Sequence, residues 1–136
     1  MRLTITLPLP HKNLSPNARV HWRTKADATA KARRDARLAA TSIINQTRKT
    51  PPKLESATMQ ATFYFRDSRR RDKSNAASSL KAYEDGFTDA GVWRDDSGVT
   101  HLPVVFLTDR VNPRVELTIT PDAAGVPTIF LEGETT

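Results

Sequence analysis

Two stretches of strictly alternating apolar and polar residues constrain the fold of this chain more than any other feature. In residues 2–8, Leu3, Ile5 and Leu7 alternate with polar side chains, and in residues 58–66 the apolar set is Met59, Ala61, Phe63 and Phe65. Alternation with a period of two is typical of a strand that buries one face. Each stretch therefore predicts a half-buried β-strand.

Two helices are predicted, one between these strands and one after them. In residues 27–47, with Asp27 as the cap, small apolar side chains form a narrow stripe that can approach a sheet closely: Ala28, Ala32, Ala36, Ala39 and Ile43. In residues 74–90 the apolar positions also have helical spacing, and Gly91 lies where a C-terminal cap belongs. These positions are Ala76, Leu80, Tyr83 and Phe87.

Two further strands are predicted at residues 101–109 and 114–120. The four residues between them, 110–113, favour a turn, so an antiparallel hairpin is expected. The resulting element order is β-α-β-α-β-β, with no sign of a domain boundary in residues 1–136. Residues 121–136 are interpreted as a C-terminal extension, whose one apolar piece is an edge strand, a dimer arm or an ordered tail.

Composition limits the class of protein. A chain of 136 residues is large enough for one core and too small for two ordinary domains. Cysteine is absent, which excludes disulfides, thiolate zinc sites and a cysteine nucleophile. No apolar run is long enough to cross a membrane, and the N-terminus carries no signal-peptide core. A soluble, cytoplasmic protein without a membrane partner is therefore expected.

Positive charge is concentrated in the N-terminal part of the chain. Residues 1–50 carry 11 Lys and Arg against 2 Asp, a net +9, whereas residues 51–136 carry 10 against 13 acids, a net −3. A basic surface beside carboxylates suits a protein that binds a polyanion and a metal ion. The alternative is a solvated charged face, and charge alone leaves both interpretations open.

The loop of residues 8–22 is irregular and continues into a basic stretch. Its cations can hold a phosphate backbone: Lys12, Arg19, Arg23 and Lys25. Trp22 lies among them and is either a stacking platform for a base or part of the core. The polar face of the first predicted helix adds cations that either contact DNA or are solvated: Lys31, Arg33, Arg34 and Arg37.

The chemistry is concentrated in residues 69–96. A basic run, a carboxylate, a helical lysine and an acidic pair follow one another: Arg69, Arg70, Arg71, Asp72, Lys81, Asp85, Asp95 and Asp96. Phosphodiester hydrolysis needs cations for the phosphate and hard oxygen ligands for an ion such as Mg²⁺, and these side chains provide both. The alternative is that Asp72 only begins a helix, the acidic pair opens a turn and the arginines are solvated.

Geometry restricts how these carboxylates can meet. A helix over residues 75–90 would be about 24 Å long and would separate Asp72 from Gly91, while the next five residues span at most about 17 Å. Asp96 can reach Asp72 only if the helix is shorter or oblique, or if a second chain completes the site. The last option favours a dimer.

Three motifs follow one another in this stretch: Arg70-Arg71-Asp72-x-x-Asn75, Leu80-Lys81-x-x-x-Asp85-Gly86-Phe87 and Asp89-Ala90-Gly91-Val92-Trp93-x-Asp95-Asp96. Together with the loop of residues 15–22, they resemble the RusA family of Holliday-junction resolvases, and its phage branch in particular. The resemblance implies an α+β domain with a mixed sheet and two helices. It also implies a homodimer that binds four-way DNA junctions in recombination and repair and nicks them with Mg²⁺ or Mn²⁺.

The resemblance further implies roles for individual side chains. The expected catalytic residues are Asp72, Lys81 and Asp96. The expected metal ligands are Asp72, Asp95 and Asp96, supported by Asn75 and Asp85. The cations expected to bind DNA follow from their charge and position, and not from the resemblance: Lys12, Arg19, Arg23, Lys25, Arg33, Arg34, Arg37, Arg69, Arg70, Arg71 and Lys73.

The sequence departs from the family at one position. The family pattern Asp-x-Asp-Asn reads Asp72-Lys73-Ser74-Asn75 here, so a neutral hydroxyl replaces the second carboxylate. Ser74 can bind Mg²⁺ only weakly or through a water, and Lys73 adds a cation that disfavours the metal. Slower cleavage is expected. The alternative functions are a junction-binding protein without useful catalysis and an assembly partner that does not bind DNA.

Overall fold

A computed structural model describes residues 2–122 of the chain. Its strands are β1 (Leu3–Leu7), β2 (Ala57–Phe65), β3 (Val99–His101), β4 (Val105–Thr108) and β5 (Arg114–Pro121). Its helices are α1 (Trp22–Thr47), α2 (Lys73–Ser78) and α3 (Lys81–Ala90), and short 3₁₀ turns occur at Lys12–Leu14 and Asp96–Gly98. The predicted C-terminal extension lies outside the described residues, apart from residues 121 and 122.

Strand β2 is the centre of a five-stranded mixed sheet. On one side it pairs antiparallel with β5, which pairs antiparallel with β1. On the other side the first part of β2 pairs parallel with β3, and its last part pairs parallel with β4. The mixed sheet and the helices packed on it confirm the predicted α+β class.

The predicted hairpin of the last two strands is wrong. The turn itself forms, because the Asp109 carboxylate accepts hydrogen bonds from the amides of Val111 (3.0 Å) and Asn112 (3.1 Å). However, β4 and β5 lie on opposite sides of β2 and pair with it, not with each other. Phe106 of β4 packs edge-on against Phe63 and Phe65 of β2, with ring centroids 5.6 and 5.0 Å apart.

The predicted strand over residues 101–109 is also interrupted. Residues 102–104 separate β3 from β4, and this segment contains Pro103. Proline has no amide hydrogen to donate, so a continuous ladder along β2 is broken at that point. The Pro103 carbonyl instead accepts a hydrogen bond from the Gln60 side chain at 2.9 Å.

Helix α1 begins five residues before the predicted cap at Asp27. The Nδ1 atom of His21 accepts a hydrogen bond from the Arg23 amide at 3.1 Å and so caps the helix. The buried positions are Ala32, Ala36, Ala40 and Ile44, which keep the predicted small-residue stripe but rotate it slightly.

The small-residue stripe of α1 packs against a helix more than against the sheet. Helix α1 packs mainly against α3 and also contacts β1. At the crossing a Cβ atom on Gly86 would lie 2.3 Å from the Arg33 carbonyl oxygen and 2.7 Å from the Ala36 Cβ. The two backbones therefore approach closely because one helix contributes alanine and the other glycine.

The predicted helix over residues 74–90 consists of two helices. At the break, the Ser79 hydroxyl donates to the Ala76 carbonyl (2.6 Å), and the Leu80 amide donates to the Ala77 carbonyl (3.2 Å), three residues back. Side-chain bonding of this kind competes with the regular helical ladder. The predicted end is confirmed, because Gly91 adopts a left-handed conformation (φ 80°) that closes α3.

The core lies between the sheet and the helices. Alternate residues of β1, β2 and β5 face α1 and α3, and the largest fully buried side chains include Phe63, Phe87 and Trp93. No helix in the described part of the chain is long and apolar enough to cross a membrane.

Candidate active site

Three side chains predicted from the motifs meet at the start of α3. The Lys81 ammonium donates a short hydrogen bond to the Asp96 carboxylate and lies 3.2 Å from Asp85 one turn along the helix. The hydrogen bond from Lys81 is the main cause that lowers the pKa of Asp96, and the same bond raises the pKa of Lys81. We refer to Lys81, Asp85 and Asp96 as the lysine cluster.

The path of the chain after α3 brings Asp96 back to Lys81. Val92 and Trp93 are buried, and the amide of Leu54 donates to the Val92 carbonyl (3.0 Å) while the Arg94 amide donates to the Leu54 carbonyl (3.0 Å). These bonds guide residues 91–95 back along α3, which is about 15 Å long at 1.5 Å per residue. Because the helix is broken before Lys81, the shorter α3 lets Asp96 reach its first residue.

The remaining predicted metal ligands have local partners. Asp72 caps α2 and accepts a hydrogen bond from the Asn75 amide at 3.0 Å. Asp95 accepts one from the Ser97 amide at 3.3 Å. Ser74 is exposed on α2. Asp72 therefore holds the start of one short helix, while the lysine cluster lies at the start of the next.

The donor set of this region suits a hard divalent cation, since Mg²⁺ prefers carboxylate oxygens and keeps several waters. Among residues 2–122, however, no group of three or more His, Asp or Glu side chains is arranged to hold a metal ion. The Asp96 carboxylate is also engaged by Lys81. The ligands thus fit by chemistry, but three carboxylates do not converge within this stretch of one chain.

The motif arginines are not equivalent. Arg69 and Arg71 both pair with Asp67, at 3.2 and 2.8 Å, and this contact lowers the pKa of Asp67 to about 2, chiefly through the hydrogen bond from Arg71. The guanidinium of Arg71 also lies 3.9 Å from the Phe65 ring centroid. Arg70 is exposed. The sequence motifs do not include Asp67, although its position four residues before Arg71 is a signal for an ion pair.

The other predicted DNA-binding cations also include some that contact neighbouring residues of the fold and some that are exposed. Arg33 makes a two-bond contact with Asp89 of α3 (2.6 and 2.8 Å), which lowers the pKa of Asp89. Lys73 lies over the Phe106 ring at 5.7 Å. Arg37 is exposed, and its charge also helps to lower the pKa of Asp89. The other predicted cations that are exposed on the described surface without such a contact are Lys12, Arg19, Arg34 and Arg70.

An open groove of about 480 Å³ connects the N-terminal loop with Asp72. Its walls include Lys12 and Ser15 from the loop and Asp72, Asn75 and Ser79 from α2 and its end. A cation of the predicted DNA-binding loop and a predicted metal ligand therefore share one surface depression.

A buried carboxylate beside the lysine cluster was not predicted. Glu84 of α3 is buried, and its Oε1 atom lies 2.5 Å from Nε2 of His101 on β3. Among the neighbours that lower the pKa of Asp96, His101 contributes least. No local sequence signal marks this pair, because Glu84 and His101 are 17 residues apart and meet only through the fold.

The family model described as endodeoxyribonuclease RusA matches residues 11–120. A crossover junction endodeoxyribonuclease RusA of Escherichia coli strain K12 is 34% identical over 119 residues, covering 86% of this chain and 92% of that protein. A protein of the same description from Enterobacteria phage 82 is 35% identical over 118 residues, covering 85% and 92%. The chain therefore belongs to the RusA family of endodeoxyribonucleases, as its motifs predicted.

Proposed function

We propose that this chain is a structure-selective endodeoxyribonuclease that cleaves four-way or branched DNA in recombination or repair, using a divalent metal ion. The observation that carries the proposal is the contact between Lys81 and Asp96. These two motif residues are 15 positions apart in the sequence and meet on an accessible surface beside Asp85. Family membership then relates this cluster to junction cleavage.

The proposed metal is Mg²⁺ or Mn²⁺, held by Asp72, Asp95 and Asp96, with Ser74 as a weak or water-mediated ligand. When bound, the ion would provide Lewis-acid activation of the phosphodiester and of the attacking water. Because three carboxylates do not converge on one point within residues 2–122 of one chain, a second copy of the chain is proposed to complete the site. A homodimer in solution, measured by light scattering, is the corresponding expectation.

Lys81 is proposed to steady the charge that develops on the scissile phosphate. Its side chain is 62% exposed, so the ammonium can exchange a carboxylate partner for a phosphate oxygen. The neighbouring acids raise its pKa further above the usual value, which keeps it protonated at neutral pH. A positioned cation of this kind stabilises a phosphoryl transition state more than the ground state.

The DNA backbone is proposed to lie against Lys12 and Arg19 of the loop, Arg34 and Arg37 of α1, and Arg70. Recognition of phosphates and junction shape should make affinity fall steeply with salt. An affinity for a four-way junction that stays flat from low to moderate salt would contradict this electrostatic account.

The test of the proposal is a nicking assay on synthetic four-way junctions with Mg²⁺ or Mn²⁺ and with chelator. The native chain, Asp72→Asn and Ser74→Asp are compared. We expect metal-dependent nicking by the native chain, loss in Asp72→Asn and faster nicking in Ser74→Asp. Native nicking that Asp72→Asn leaves unchanged would remove Asp72 from the metal site.

A second candidate function is junction binding without useful cleavage, and the neutral, exposed Ser74 favours it. A silent native chain that still binds junctions, together with activity in Ser74→Asp, would support this alternative. A native chain that binds no DNA at low salt would contradict both functions and would leave the assembly-partner interpretation.

A further inference from the structure

The two tryptophans of this chain differ strongly in exposure. Trp93 is 1% exposed, and its indole nitrogen donates to the Thr88 hydroxyl at 2.7 Å, so it belongs to the core. Trp22, the first residue of α1, is 66% exposed. An aromatic side chain of this size normally buries most of its surface, so an open indole indicates a contact surface more than a packing residue.

The surroundings of Trp22 are cationic and aromatic. The Arg23 guanidinium lies 5.3 Å from the indole centroid, and the His21 ring lies 5.5 Å away at an angle of 32°. The first turn of α1 also carries Lys25 and contains no acidic residue. Cations at this end of a helix are disfavoured by the helix dipole, so a polyanion would relieve a local repulsion.

Trp22 lies two residues beyond a depression that adjoins the groove containing Asp72. Lys12 and Ser15 line that groove and also line a second, open depression that ends at Arg19 and Val20. His21 and Trp22 follow directly in the chain. Phosphates lying along Lys12 and Arg19 would therefore lead from the groove beside Asp72 towards the indole.

We propose that Trp22, assisted by Arg23, is a stacking platform for an unpaired or unstacked nucleobase of bound DNA. Every base offers a face to an aromatic ring, and neighbouring cations hold the adjoining phosphates. A second copy of this chain suits the patch less well, because two like-charged surfaces would repel each other. The inference rests on the proposed DNA-binding function and adds the chemical group that this surface recognises.

Tryptophan fluorescence provides a direct test, because Trp22 and Trp93 are the two tryptophans of the sequence and Trp93 is buried. The native chain is titrated with a single-stranded thymidine oligonucleotide and with an abasic oligonucleotide of equal length and charge. We expect strong quenching by the thymidine strand and weak quenching by the abasic strand. In Trp22→Phe the quenching should disappear. Equal quenching by both strands, or quenching that persists in Trp22→Phe, would overturn the inference.

Binding affinity for the two oligonucleotides provides a second test. Trp22→Ala should weaken binding of the thymidine strand by about tenfold, in line with stacking on one base, and should leave binding of the abasic strand within about twofold. Trp22→Phe should retain most of the affinity, since a phenyl face also stacks. Leu38→Ala is the control, because Leu38 is an exposed apolar side chain of the same helix. Equal losses for both strands would contradict base stacking.

The two proposals fail in distinguishable ways. If the native chain binds neither strand nor a four-way junction at low salt, both the DNA function and the platform are excluded. If the native chain binds and nicks junctions while Trp22→Ala binds thymidine strands as the native chain does, only the platform is excluded.

Discussion

The lysine cluster and the segment of residues 67–73 carry similar charges but use them differently. In the lysine cluster, Lys81 is exposed and meets two carboxylates at the surface. Buried Trp93 anchors the segment that brings Asp96 back to Lys81. In residues 67–73, Arg69 and Arg71 are paired with Asp67, and Arg71 is stacked on Phe65. Residues 67–96 thus contain both charged groups accessible for chemistry and charged groups already engaged by the fold.

The largest expected effect is on catalysis at Lys81. Lys81→Ala should lower the nicking rate by about 100-fold, as expected for removal of one group that stabilises transition-state charge. Lys31→Ala is the matched control, because Lys31 also forms an i,i+4 pair, with Asp35 at 2.6 Å, away from the lysine cluster. Single-turnover nicking of a junction measures both variants. Equal rates for the two variants would remove the distinction between the cluster and an ordinary helical ion pair.

The next effect concerns the helix packing that supports the lysine cluster. Gly86→Ala would place a methyl group 2.3 Å from the Arg33 carbonyl oxygen, so α1 and α3 must separate. We expect a loss of about 3 kcal/mol in the free energy of unfolding, measured with urea. Thr41→Ala, at an exposed position of α1, should change stability little.

A smaller effect separates two neighbouring arginines of the motif. Arg71→Ala should lower the free energy of unfolding by about 1 kcal/mol, because the side chain loses its packing on Phe65. Arg70→Ala should leave stability unchanged and should reduce the salt dependence of DNA binding by about one released counterion. Urea unfolding and junction binding at several salt concentrations test the pair. A loss of stability in Arg70→Ala, with a reduced salt dependence in Arg71→Ala instead, would contradict this distinction.

The smallest effect is a pH dependence at Asp67. Its pKa of about 2 lies below the ordinary value of 3.8, so the ionised carboxylate favours the folded state. This contribution is complete above about pH 5 and is lost as the pH falls from about 4 towards 2. Asp67→Asn should therefore be less stable than the native chain at pH 7, and the difference should shrink at pH 3. Urea midpoints at both values measure it, and a difference independent of pH would contradict it.

Local pattern predicted much of the fold, and tertiary contacts decided the rest. The strands containing Leu3 and Phe63 were placed within about one residue, because alternation directly reflects a sheet with one buried face. The helix break at Ser79 and the early start of α1 were missed, because a serine back-bond and a histidine cap have weak sequence signals. The hairpin failed because β4 pairs with the distant β2 through aromatic contacts.

Prediction of the candidate site had a similar limit. Motif spacing singled out Lys81, Asp85 and Asp96, which the structure brings together. Charge counting did not reveal that Asp67 and Asp89 already hold Arg71 and Arg33, because such pairs depend on which loops and helices are neighbours. Exposure of Trp22 was equally undetermined, since a lone aromatic beside polar residues suits both a core and a surface.

The most direct measurement of the central claim is junction nicking by Asp96→Asn at saturating DNA, with Mg²⁺ or Mn²⁺. The substitution keeps the size of the side chain and removes the charge that meets Lys81 and would hold the metal. We predict that nicking is lost while junction affinity stays close to that of the native chain. Nicking at the native rate would contradict the assignment of the lysine cluster as the active site.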